Sequence, residues 1–450
     1  MTAMKRPERP PSLPELLGKL EPARLAEILT LYPMAQVDRE SYPHWDRLHR
    51  LPAPAGLTHH EWWLATKFAR QLSYRETPLT DREGKPFVIG KPDALLQLLP
   101  RLDNQLGGKI GLQELTVNQD TRSRYVISSL MEEAVTSSQL EGAATTRADA
   151  IAMLRTGRKP RDRSERMILN NYLAMQRIGQ LRNEPLTPDL VLELHAVVTE
   201  DTLDEAHSAG RMQTPTDLRV KVRDEQTGEI LHDPPPADQL PDRLRLMCDF
   251  ANGTGEAQGY LHPIVKAIVL HFWLAHDHPF ADGNGRTARA LFYWHMLREG
   301  YWLTEFISIS SLIRKAPVKY ARSFLWTETD ANDLTYFVLA QLGIIAQSID
   351  ALENYIARKS SELRSVDQRL RALDRINHRQ KALLAHALKN RHAVYSIQSH
   401  CRSHGVAYAT GRADLLELCR LGLLTQLRQG KAFKFRAPDD LSSRLMLLEE

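Results

Sequence analysis

His278-Pro279-Phe280-Ala281-Asp282-Gly283-Asn284-Gly285-Arg286-Thr287-Ala288-Arg289 sets a base, a carboxylate, a glycine-flanked asparagine and two arginines between two apolar runs, Val265–Ala275 and Ala290–Met296. Gly283 and Gly285 open backbone conformations closed to residues with a side chain. A turn of this kind can aim several N–H groups into one anion-binding concavity. From Arg286 onward, Ala288, Leu291, Phe292, Met296 and Leu297 recur near a period of 3.6, which predicts a helix. The Gly-Asn-Gly turn is then a helix N-terminus, where free N–H groups and the dipole favour phosphate. Arg286 and Arg289, one turn apart, are placed to grip outer phosphates with their guanidinium forks. Asp282 is a candidate Mg²⁺ ligand, because Mg²⁺ takes one or two carboxylates together with phosphate oxygens. His278, neutral at pH 7 by its ordinary pKa, is a candidate base for an incoming hydroxyl. Singly, each residue has a plainer reading: nearby His271 and His276 read as satisfied structural histidines, and two arginines at i, i+3 as a surface pair. The conjunction is what predicts a nucleotide-phosphate site built for displacement at phosphorus.

The same stretch resembles, at every fixed position, the signature of the Fic family, H-x-F-x-[DE]-G-N-G-R-x-x-R. The resemblance implies a mainly α Fic-type helical bundle with a β-hairpin flap. It also implies an enzyme that transfers AMP from ATP to a Ser, Thr or Tyr hydroxyl of a target protein or of itself. In that scheme His278 deprotonates the hydroxyl and Asp282 holds Mg²⁺ on the phosphates. Gly283, Asn284 and Gly285 form the anion hole, Arg286 and Arg289 bind the β- and γ-phosphates, and Phe280 anchors the loop in the core. The reverse reaction, removal of AMP by the same site, stays open, as do UMP, phosphocholine or phosphate as the transferred group.

Upstream, Ile127, Leu130, Met131, Ala134 and Val135 follow the spacing of an amphipathic helix over Thr121–Gly142. Gly142 is its expected C-cap. Glu141 stands at the helix C-terminus, where the dipole disfavours an anion and a cationic partner is called for. Ser137, Glu141 and Gly142 resemble the Fic inhibitory motif, [ST]-x-x-x-E-[GN]. The resemblance implies that Glu141 pairs with Arg289 and fills the space of the γ-phosphate. Between Gly210 and Pro236, Leu218, Val220 and Val222 alternate with polar residues, Gln226-Thr227-Gly228 makes a turn, and Glu229-Ile230-Leu231 resumes. This predicts a β-hairpin. In the family such a hairpin is a flap that aligns the target by strand addition, with Val220, Val222 and Ile230 as contact candidates.

The chain has 450 residues, 42% hydrophobic and 25% charged, which suits two or three globular domains. The opening residues are Pro-rich and charged, unlike a signal peptide, and no uninterrupted apolar run reaches membrane-spanning length. Cys248, Cys401 and Cys419 have no metal-like spacing and suit a reducing cytoplasm. The expected division is 1–110, a helical N-terminal region with disordered first residues; 111–345, the catalytic core; 346–374, a helical linker; and 375–450, a winged helix-turn-helix. Between Arg371 and Ala437 thirteen basic residues face three acidic ones, a net +10 inside a chain of net +4. That asymmetry suits a phosphate backbone and makes Arg412 and Lys431 candidate DNA contacts. DNA and a second copy of the chain are therefore open as partners, and so is a second overall reading, a DNA-binding regulator whose core senses nucleotide or modifies itself. Gly411 weakens the presumed recognition helix by about 1 kcal/mol relative to alanine.

Overall fold

The computed structural model describes residues 6–31, 42–107, 119–224, 226–254, 259–372, 375–389, 393–429 and 432–446. Thr58 caps the first long helix, His59–Gln71 (α1). Its hydroxyl accepts the Glu61 N–H at 3.2 Å while the Glu61 carboxylate accepts the Thr58 N–H at 2.8 Å, a capping box. A hairpin that the sequence pattern did not announce follows, Arg75–Thr80 (β1) against Pro86–Ile89 (β2). Charge and an internal proline hide these strands. The tight turn between them is held by Asp81, whose Oδ1 accepts the Glu83 and Lys85 N–H groups at 2.8 and 2.9 Å.

Helices Asp93–Leu106 (α2), Gln119–Leu140 (α3), Arg163–Leu181 (α4), Pro188–Thr199 (α5), Leu240–Asn252 (α6), Pro263–Asp277 (α7), Asn284–Arg298 (α8), Ile309–Lys315 (α9), Pro317–Thr329 (α10) and Thr335–Ala372 (α11) complete most of the chain to residue 372. Its centre is α7 against α8, joined by the motif loop. α7 is apolar on every face and buries Ile264, Ile268, Val269, Phe272 and Trp273. Phe272, fully buried, stacks on Phe324 of α10 with centroids 5.1 Å apart. Truncating it to alanine costs about 3–5 kcal/mol. α8 buries Leu291, Phe292, Trp294 and Met296. Two helices with no solvent face form a rigid floor, so the loop between them is held at both ends.

α11 departs from the expected linker beginning at 346, since it is continuous from Thr335. Its stretch Thr335–Arg358 is long and apolar enough to cross a membrane, with mean hydropathy 1.3, yet 56% of it is buried inside the protein. Gln341, Gln347, Asp350 and Glu353 interrupt the stretch, so it is not the uninterrupted apolar run whose absence the sequence shows. The hairpin of Val222–Arg223 (β3) and Ile230–His232 (β4) is also shorter than the alternation suggests. Leu218 is 93% exposed and Val220 precedes the strand. Asp217 is the reason: it takes the Thr214 N–H and both Arg211 Nη groups, closing a turn that delays the strand.

By its contacts the chain divides into Met1–Leu352 and Glu353–Glu450. The second unit holds His378–Lys389 (α12), Val394–Tyr395 (β5), Ile397–His404 (α13), Tyr408–Arg420 (α14), Thr425–Gln429 (β6), Ala432–Arg436 (β7) and Leu441–Met446 (α15), with sheet order β5-β7-β6. Leu384, Leu415, Leu418, Leu423, Phe435 and Leu441 fill its core. Buried Asp414 ties α12 to α14, accepting from Arg379 at 2.7 Å and Asn377 at 2.7 Å. Gly411 has a packing reason: a Cβ there would lie 2.3 Å from Cys401 Sγ on α13. Arg412 is exposed on α14. Lys431 lies outside the described residues.

Candidate active site

The motif loop begins and ends in left-handed backbone. His278 (φ 47°, ψ 52°) stops α7, its N–H bonded to Leu274 O at 3.0 Å. Gly283 (φ 85°) starts α8. A Cβ on Gly283 would lie 2.6 Å from Thr199 Cγ2, so glycine is required there by space as well as by φ. Asn284 buckles the loop from within: Oδ1 accepts the Phe280 N–H at 3.0 Å and Nδ2 donates to Phe280 O at 2.8 Å. Its side chain is thus committed to the loop, and what it offers an anion is its N–H in the first turn of α8.

His195 of α5, which the sequence reading passed over, supports the loop from below. Its ring stacks on Phe280 with centroids 3.7 Å apart. Nδ1 accepts the Gly210 N–H at 3.0 Å, so Nε2 carries the proton and donates to Asp282 O at 2.9 Å. Burial lowers its pKa to about 4, which keeps the ring neutral and this pattern intact. Arg219, also unanticipated, joins the segment before β3 to the end of α7. It donates to His278 O at 2.7 Å, to Asp277 O, to Pro235 O at 2.9 Å and to Gln213 Oε1 at 2.6 Å. No periodicity marks either residue; both act on chain dozens of positions away.

His278 is half-buried, and its Nδ1 faces Ala275 O at 3.4 Å. A carbonyl only accepts, so the proton sits on Nδ1 and the lone pair of Nε2 is left for chemistry. Burial, with the charge of His232 second, lowers its pKa to about 4. The ring faces a cavity of about 520 Å³ whose lining includes Glu141, Gly285, Arg289, Val222 and Tyr320. A larger cavity of about 920 Å³, lined by Arg75, Tyr260 and Lys266 among others, contains none of the motif residues.

The two arginines part company. Arg289, 3% exposed, reaches α3: Nε donates to Ser137 Oγ at 2.8 Å, and Nη2 to Ser137 O at 3.1 Å and Glu141 Oε1 at 2.9 Å. Burial works against its charge and the Glu141 carboxylate outweighs it, so its pKa stands above the usual value. Arg286 is fully buried, donates to Val198 O at 2.7 Å near the end of α5, and lies 3.5 Å from Asp282 Oδ2. It is absent from the lining of the cavity that holds Arg289. Three residues along a helix turn 300°, and the remaining 60° sends them to different neighbours. Arg286 adds positive charge beneath the turn without reaching into it.

Glu141 lies against the turn. A Cβ on Gly285 would lie 2.1 Å from Glu141 Oε1, so the carboxylate rests directly on the first turn of α8. Gly142 (φ 94°) lets the chain leave α3 immediately afterwards. α3 is itself pinned to α9: buried Glu133 accepts Ser308 Oγ at 2.7 Å, the Ser310 N–H at 3.1 Å and Ser310 Oγ. Asp282 is 42% exposed, one oxygen on the Gly283 N–H. A solvent-facing carboxylate beside a phosphate turn fits the single protein oxygen that Mg²⁺ often takes. Val222 lines the cavity from the hairpin; Val220 and Ile230 do not.

The helical bundle thus presents a base, an anion turn and a buried arginine along one loop and the helix that follows it. Residues 185–296 match the family model described as Fic/DOC family. Among curated proteins it is similar to a protein adenylyltransferase Fic from Nematostella vectensis, 34% identical over 122 residues, 27% of this chain and 25% of that one. A protein of the same name from Drosophila willistoni is 40% identical over 70 residues, 16% of this chain and 14% of that one. The chain therefore matches a quarter or less of the length of these relatives. In fold it is similar to a Fic family protein from Desulfovibrio desulfuricans G20, with TM-score 0.51 and 19% identity over 81% of this chain and 99% of that one.

Proposed function

We propose that the protein is a self-inhibited protein adenylyltransferase, transferring AMP from ATP to a hydroxyl side chain. The observation that carries this reading is the Glu141 carboxylate resting on Gly285 and bonded to Arg289, within the cavity that His278 faces. A carboxylate at a helix N-terminus beside a buried guanidinium occupies a place suited to phosphate. When Glu141 swings away, the γ-phosphate takes its place on Arg289. The target oxygen then attacks the α-phosphorus while Nε2 of His278 takes the hydroxyl proton. The new O–P bond forms as the bond between the α-phosphorus and the bridging oxygen breaks, and pyrophosphate leaves. Asp282 is the residue that would hold Mg²⁺, which neutralises charge on the phosphates. The β3–β4 hairpin, with Val222 toward the cavity, acts as the flap along which the target segment lies.

Transfer of label from [α-³²P]ATP tests this: Glu141→Gly raises it and His278→Ala in that background abolishes it. Equal activity of Glu141→Gly with and without His278 contradicts the catalytic assignment. Because Glu141 and His278 share one cavity, the same carboxylate can align water for AMP removal. Incubating AMP-modified target with the wild type and with Glu141→Gly separates the two directions. The second unit, three helices followed by a β6–β7 hairpin, is read as a winged helix that binds DNA through exposed Arg412. Salt-dependent DNA binding that is lost on deleting residues 375–450 supports this, and no binding at low salt contradicts it.

A further inference from the structure

His232, His276 and Glu328 end three different elements beside the cavity, namely β4, α7 and α10. One potential donor atom of each lies within 4.8 Å of the other two, and among the described residues no other trio of His, Cys, Asp or Glu comes this close. The outer nitrogens of both rings are already held. His232 Nε2 donates to His276 O at 2.7 Å, and His276 Nδ1 donates to Asp277 Oδ1 at 3.3 Å. Asp277 is fixed in turn by Arg243 at 2.6 Å and Trp273 Nε1 at 3.0 Å. Phe87 and Phe272 pack on the His276 ring at 5.0 and 5.7 Å. Histidines oriented by a carbonyl and a carboxylate on the far nitrogen are arranged as metal ligands are.

We propose that His232, His276 and Glu328 bind one divalent transition-metal ion of the zinc class, fastening the hairpin strand β4 to α7 and α10. Two imidazoles and one carboxylate make a three-ligand set that leaves a fourth position for water. The nitrogen donors select this class over Mg²⁺, which takes oxygen. His232 Nδ1 now faces Glu328 Oε1 at 2.8 Å. With both its nitrogens on acceptors, the ring carries a second proton where the ion would sit. Metal entry releases that proton and draws the three donors in to about 3.4 Å from one another, the spacing of a tetrahedron with bonds of about 2.1 Å. All three residues lie between the cavity that His278 faces and a smaller one of about 270 Å³ lined by Arg82 and Asp233, and both offer the fourth position access to water.

Full-length protein, stripped with a chelator, is titrated with Zn²⁺ by calorimetry and with Co²⁺ by visible absorption. One equivalent binds, Co²⁺ gives the intense bands of a four-coordinate site, and Zn²⁺ raises the melting temperature. His232→Ala and Glu328→Gln, shown by circular dichroism to be folded, lose all three responses; His278→Ala keeps them. Absence of stoichiometric uptake overturns the proposal and leaves an ion pair only. Uptake unchanged in both ligand variants, or lost in His278→Ala, overturns it equally, because the ion is then held elsewhere.

Discussion

Replacing Glu141 by glycine isolates one contact. Arg289 Nη2 donates to Glu141 Oε1 at 2.9 Å, with the two side chains 3% and 26% exposed. A hydrogen bond between charged partners contributes about 1.5–3 kcal/mol net. Under the proposed self-inhibition, ATP must break it before its γ-phosphate reaches Arg289, so the binding-competent fraction of the wild type is reduced by that amount. The corresponding factor is roughly 10- to 150-fold. Glu141→Gly therefore tightens ATP affinity, and raises kcat/KM for transfer, by a factor in that range. Arg289 stays in place because Ser137 still takes its Nε and Nη2 protons. Glu141→Gln keeps the shape with a bond about half as strong and falls between the two. The assays are calorimetric ATP binding at fixed Mg²⁺ and initial rates with labelled ATP. A folded Glu141→Gly protein whose ATP affinity stays within about twofold of wild type refutes the argument.

His278, with its pKa lowered to about 4 by burial, is neutral at any pH well above that value. Transfer by Glu141→Gly is thus insensitive to this group from pH 6 to 8 and falls only as acidification toward pH 4 protonates it; a titration centred on pH 6.5 contradicts this. Arg219→Ala frees the His278 carbonyl from its tether, so kcat falls about tenfold, or 1.4 kcal/mol, while ATP affinity holds; steady-state kinetics paired with calorimetry check the split. Gly411→Ala gains helix propensity yet lowers the melting temperature, because its methyl meets Cys401 Sγ at a cost of about 1–3 kcal/mol. Adding Cys401→Ala removes the clash and restores or exceeds wild-type stability in thermal melts.

What could be read from sequence was what the backbone or the period demands. Gly283 and Gly142 occupy left-handed positions that select glycine, α7 and α8 bury nearly all their apolar residues, and α3 buries Met131, Ala134 and Val135 of its apolar spacing while leaving Ile127 45% exposed. Directions of side chains were harder. Arg286 and Arg289 share a helix and a spacing rule, yet one ends on Val198 O and the other on Ser137 and Glu141. His195 and Arg219 hold the motif loop through contacts 87 and 59 residues away, which no local pattern encodes. Leu218 kept the alternation of a strand while Asp217 had already turned the chain. Gly411 read as a weak point in a helix until the Cys401 sulfur was seen to lie against it.

The anchoring of α3 by Glu133 and Ser137 sets the kind of control this site can exert. A helix fastened at both points cannot leave, so only the last side chain has to swing. Under the proposed self-inhibition, Glu141 acts as a competitor on a leash, with a local concentration that neither dilution of the protein nor dialysis alters. On this reading the dose–response to ATP is displaced to higher nucleotide without becoming steeper. The proposed resting enzyme would then follow the ATP level of its surroundings rather than its own abundance.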